Sequence, residues 1–83
     1  MPYQKDKQQA FHAAQQAFLQ AEEAVGHIEV HAPEYGRNLK RAHKEIEEAT
    51  QQIDKALGVA SEHQKQQLQQ FQEQLEGFTS SIE

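Results

Sequence analysis

Apolar residues recur along this chain in alternating steps of three and four. Phe11, Ala14, Phe18, Ala21, Val25 and Ile28 keep this spacing in the first third. Tyr35, Leu39, Ala42, Ile46, Ala49, Ile53 and Ala56 keep it in the middle, and Leu68, Phe71, Leu75, Phe78 and Ile82 in the last third. Such steps hold side chains on one face of an α-helix and repeat every seven residues, as in helices packed along coiled-coil-like seams. Composition agrees: Ala, Gln, Glu, Lys and Leu dominate, and β-branched residues are sparse.

Local signals divide the pattern. Ile28-Glu29-Val30-His31-Ala32-Pro33 is poor in helix formers, and its proline fits the first turn of a new helix. Glu34 then stands near the positive end of that helix dipole. Gly58 reads as a left-handed cap closing the second helix, and Ser61-Glu62-His63-Gln64 as a capping box opening the third. The expectation is a single all-α domain, residues 1–83, with helices over about 5–28, 34–57 and 62–82 folded as an antiparallel three-helix bundle. One alternative is a long helix kinked at Pro33 followed by a second helix, because the seam runs without a phase error from Phe11 to Ala60. Gly26, Pro33 and Gly36 weigh against it, being unfavourable inside a helix.

Residue size refines the packing. Large residues alternate with Ala along the first two seams, and Ala10, Ala17 and Ala24 flank the first. Small residues permit close approach, so the first two helices are expected to pair tightly. The third carries Leu or Phe at its seam positions and is expected to fill the remaining groove.

Setting aside 11 Ala leaves only 19 larger apolar side chains in 83 residues, enough for one economical core. The absence of Cys excludes disulfides and thiolate metal sites. A net charge of −5 is the wrong sign for general phosphate binding. No long apolar run reads as a membrane span, and Met1-Pro2-Tyr3-Gln4-Lys5-Asp6 lacks an apolar signal core, so the expected location is cytoplasmic.

Candidate chemistry is sparse. Glu23, His27 and His31 would stack on one stripe of a continuous helix, a spacing that admits a metal or small-ligand site, but it lacks the inward Glu-x-x-His pairs of a di-metal bundle. No cofactor is expected. Neither a Gly-rich phosphate loop nor a Cys nucleophile is present, and the paired acids Glu22-Glu23 and Glu47-Glu48 fall on polar faces. The reading is not an enzyme.

The main local anomaly is basic. Arg37, Lys40, Arg41 and Lys44 occupy i, i+3, i+4 and i+7 on the outer face of the second helix, in the half where the dipole disfavours cations. Pairs such as Arg41–Glu45 and Lys44–Glu48 would contribute only about 0.3–0.5 kcal/mol each and do not account for that placement. The stripe is therefore a candidate docking surface for an acidic protein, with weak nucleic-acid binding as a lesser alternative. Leu19, well off the first seam, is a second partner-binding candidate. The chain has 15 Gln, seven of them between Gln64 and Gln74, and an uncharged polar face can approach another helix without desolvating charge. Self-association as a homodimer is consistent with that.

With its Gln-rich third helix, the chain carries Ala21-Glu22-Glu23-Ala24-Val25-Gly26 and Ala56-Leu57-Gly58-Val59-Ala60-Ser61. In these it resembles small uncharacterised helical proteins of spore-forming Gram-positive bacteria, grouped as domains of unknown function. The resemblance spans residues 10 to 78 and implies a bacterial, cytoplasmic or spore-associated protein. It transfers no functional residue. The sequence therefore points to a small structural or regulatory protein–protein interaction module.

Overall fold

The computed structural model describes residues 3–82, with side chains from Gln8 onward; Met1, Pro2 and Glu83 lie outside the described residues. It is an all-α three-helix bundle: α1 spans Tyr3–Gly26, α2 Tyr35–Leu57 and α3 Glu62–Ile82. Each helix packs on both others, and α1 with α2 forms the most extensive of the three interfaces. The bundle is slender, with principal extents of 49 × 21 × 13 Å.

The chain reverses after α1, which excludes the kinked long helix. α1 ends two residues earlier than the seam predicts. Its last turn tightens: the His27 N–H lies within reach of both the Glu23 and Ala24 carbonyls at 3.1 and 3.3 Å, and the Ile28 N–H donates to the Val25 carbonyl at 3.2 Å. Such i to i−3 bonds occupy carbonyls that a helix end leaves unpaired.

Pro33 lies before α2 rather than in its first turn. The Tyr35 N–H donates to the Ala32 carbonyl at 3.0 Å across Pro33-Glu34, and the first intrahelical bond runs from the Asn38 N–H to the Glu34 carbonyl at 2.8 Å. Glu34 is the N-cap residue, at φ −89° and ψ 14°, and its side chain makes no capping bond. The proline thus sets the turn that delivers the helix.

Gly58 is not left-handed. It sits at φ −65° and ψ −22°, and no glycine among the described residues has positive φ. α2 closes instead by tightening, with the Gly58 N–H on the Lys55 carbonyl at 3.2 Å and the Val59 N–H on the Ala56 carbonyl at 3.1 Å. The capping box of α3 is present as expected. The Gln64 N–H donates to Ser61 Oγ and the Ser61 N–H to Gln64 Oε1, both at 3.2 Å.

Packing follows the seven-residue repeat. Ala14 and Ala21 on α1, with Ala42, Ala49 and Ala56 on α2, are at most 1% exposed. A methyl group at these positions lets the two helix backbones approach closely, in agreement with the tight α1–α2 pair expected from residue size. Leu68 and Leu75 of α3 enter the core alongside Ile46 and Ile53. Among the large side chains of the described residues, only Ile53 and Leu68 are fully buried.

The phenylalanines form a ladder between α1 and α3. Ring centroids lie 6.4 Å apart for Phe11 and Phe71, 4.6 Å for Phe18 and Phe71, and 5.9 Å for Phe18 and Phe78, all in stacked arrangements. Numbering rises in the same direction on both helices, so α1 and α3 run parallel. α2 runs against them: Gln72 Nε2 donates to Asp54 Oδ1 at 3.4 Å, while Ile46, farther back along α2, adjoins Leu75 and Thr79 farther forward on α3.

Candidate functional site

α2 is amphipathic enough to have two distinct faces. Ala42, Ile46, Ala49, Ile53 and Ala56 form its buried stripe, and Arg37, Lys40, Arg41 and Lys44 are all exposed. At 100° per residue the four cations centre nearly opposite the buried stripe. All four therefore project from one outward face over about 10 Å of helix, from the rise of 1.5 Å per residue. Glu47 and Glu48 follow them on that face, both exposed, so the helix surface changes sign midway.

The amino-terminal end of the stripe borders an open depression of about 540 Å³ lined by Gly36, Arg37, Leu39, Lys40 and His43. Gly36 leaves its rim low, half-buried Leu39 supplies an apolar floor, and Arg37 and Lys40 stand beside it. Leu39 and His43 were not among the sequence candidates. Their signal was helical spacing alone, since His43 lies three residues after Lys40 and four after Leu39.

Leu19 is exposed, at 47%. It sits two residues beyond Ala17, which packs toward the core, and so lies on nearly the opposite side of α1. The fold does not bring Leu19 to the basic stripe. It lies one turn beyond exposed Gln15 on the outer side of α1.

Glu23, His27 and His31 are exposed; His27 directly follows α1, with its N–H on the Glu23 carbonyl at 3.1 Å, but His31 lies in the connection to α2, so no continuous helix stacks all three. Among the described residues no group of three or more His, Asp or Glu side chains is placed to hold a metal ion. The paired acids Glu22-Glu23 and Glu47-Glu48 remain exposed on separate helices. Thr79 Oγ1 donates to the Leu75 carbonyl at 3.1 Å, a back-bond within its own helix.

No helix among the described residues is long and apolar enough to cross a membrane. The outward face of α2 gathers four exposed cations within eight residues. No protein-family model, curated protein or solved structure matches this chain.

Proposed function

We propose that this chain is a small protein–protein interaction module, non-enzymatic and bacterial, that works in the cytoplasm by docking an acidic protein segment on the outer face of α2. One observation carries the reading. Four cations share an exposed helix face opposite the core, in a chain whose net charge is −5. The fold does not need them there: all four are exposed, and the dipole disfavours Arg37 in the first turn of α2. Carboxylates along a partner helix would meet all four within two turns, and the acids that follow at Glu47 and Glu48 would set direction by repelling a misaligned partner. The depression beside Leu39 would accept one apolar side chain of that partner.

The test compares wild-type protein with R37Q/K40Q/R41Q/K44Q in capture experiments from nuclease-treated extracts of the native cells. Acidic proteins should be retained by the wild type, released at about 1 M salt, where the Debye length falls to about 3 Å, and lost with the variant. The same proteins on both baits would exclude docking at the stripe. Nucleic acid as the main species retained from untreated extract would favour the phosphate-binding alternative.

A further inference from the structure

A second surface lies on the other side of the bundle. α1 contains no Asp, Glu, Lys or Arg from Gln8 to Ala21, and α3 contains none from Gln66 to Gln72, although a quarter of the chain is charged. The phenylalanine ladder sets the register of α1 against α3: Phe71 stacks on both Phe11 and Phe18. Two uncharged stretches far apart in sequence are thereby laid side by side. Phe11, Phe71 and Phe78 are only partly buried there, and Leu19, one turn beyond exposed Gln15 on α1, is 47% exposed.

Glutamines bracket these rings. Gln8 and Gln15 lie one turn to either side of Phe11, and Gln67 and Gln74 one turn to either side of Phe71; Gln15, Gln67 and Gln74 are exposed. At the amino-terminal end an open groove of about 600 Å³ runs between Phe11, His12 and Gln64. The result is a strip without Asp, Glu, Lys or Arg from Gln8 to Ala21 on α1 and from Gln66 to Gln72 on α3, with an aromatic centre and amide edges. Lys65 and Glu73 bound the α3 stretch, and His12 lines the groove at its end. Its α1 edge runs for about 21 Å over the 14 residues from Gln8 to Ala21, at 1.5 Å per residue.

From this juxtaposition we infer that the α1–α3 face is an isologous interface occupied by a second copy of this chain. Two molecules of net charge −5 repel, and an approach on most other faces sets carboxylate against carboxylate. On this strip they meet without like charges. A two-fold interface must also be self-complementary, each side supplying what the other needs. Glutamine satisfies that condition because its amide both donates and accepts, so identical rows can pair across the axis. A charged partner would instead have to desolvate its own charges against a surface offering none in return. The exposed edges of Phe71 and Phe78 supply the apolar centre, and Leu19 adds apolar surface at the α1 edge.

A strip only about 21 Å long is small for a standard interface, which places the dimer in the weak, concentration-dependent class. The inference is independent of docking at α2, whose basic face points elsewhere and would remain open in the dimer.

Sedimentation equilibrium of the full chain from about 10 µM to about 1 mM tests it, a range that brackets weak association. The average mass should rise from 9.5 kDa toward twice that value. L19E, and separately Q67E/Q74E, should weaken association at least about tenfold while leaving the helical circular dichroism unchanged, since these side chains are exposed. R37Q/K40Q/R41Q/K44Q should dimerise like the wild type, which separates this interface from the docking face. A constant monomer mass at the highest concentration would overturn the inference. So would undiminished association in both folded variants, or loss of the dimer in the four-glutamine variant.

Discussion

Ser61 and Gln64 cap each other at the start of α3. The Gln64 N–H donates to Ser61 Oγ and the Ser61 N–H to Gln64 Oε1, each at 3.2 Å, so two donors that the helix start leaves unpaired are satisfied by one pair of side chains. The pair also fixes where the chain re-enters the bundle, one residue after partly buried Ala60.

Ser61→Ala should accordingly cost about 0.5–2 kcal/mol of stability, the usual range for loss of an N-cap side chain. Gln64→Ala should cost less, because a peripheral N–H can turn to water. The double variant should lose less than the sum of the two, since either alanine already breaks the reciprocal arrangement. Urea unfolding of the four proteins measures this, and strictly additive losses would show that the two bonds act independently.

Gly58 offers a test whose sign depends on the backbone. At φ −65° and ψ −22° any L-residue fits, and a Cβ placed there would meet only the Lys55 carbonyl oxygen, at 3.4 Å. Gly58→Ala should raise stability by about 0.4–1 kcal/mol by reducing the freedom of the unfolded chain. Thermal unfolding should then shift upward by roughly 2–8 °C for a domain of this size. A left-handed glycine would give a downward shift.

Ala49 is completely buried in the region where α1 and α2 approach. Ala49→Leu should force the pair apart and cost about 1–3 kcal/mol, the range for overpacking. Leu68→Ala, at a large side chain that is fully buried, should cost about 2–5 kcal/mol through lost burial and a cavity. Denaturant midpoints would show whether the spacer alanines matter on the same scale as the large core residues.

The ring pair Phe18–Phe71, at 4.6 Å, is the closest rung of the ladder. A double-mutant cycle with Phe18→Leu and Phe71→Leu should return a coupling of about 0.5–1.5 kcal/mol beyond the area each ring buries. The same cycle on Phe11 and Phe78, at opposite ends of the ladder, should return nearly additive losses.

Much of the architecture was legible in the order of residues. The seven-residue repeat places Ala42, Ile46, Ala49, Ile53 and Ala56 on one face wherever the helix is put, and all five are buried. Ser61 and Gln64 form their box through neighbours in sequence, so their spacing was sufficient. Gly58 was misread for the converse reason: a glycine after a helix permits a left-handed cap, but carbonyls can also be satisfied by a tighter turn, as they are here. The end of α1 differed by two residues because seam periodicity continues through Ile28 after hydrogen bonding has ceased to be helical. Among the site candidates, the exposed stripe from Arg37 to Lys44 needed only helical spacing. The stacking of Glu23, His27 and His31 assumed a helix that stops at Gly26.

Sequence alone determined the three amphipathic helices, their seams, the α3 cap and the outward basic face, because each depends on relations within one helix or one turn. Tertiary structure decided what those relations cannot encode: the reversal after α1, the pairing of Ala rows between α1 and α2, and the phenylalanine ladder that sets α1 beside α3 in register. A periodic pattern specifies which side of a helix is buried but leaves open which neighbour it meets. Only packing of all three helices together placed the two uncharged stretches on one surface and turned Leu19 away from the cations of α2.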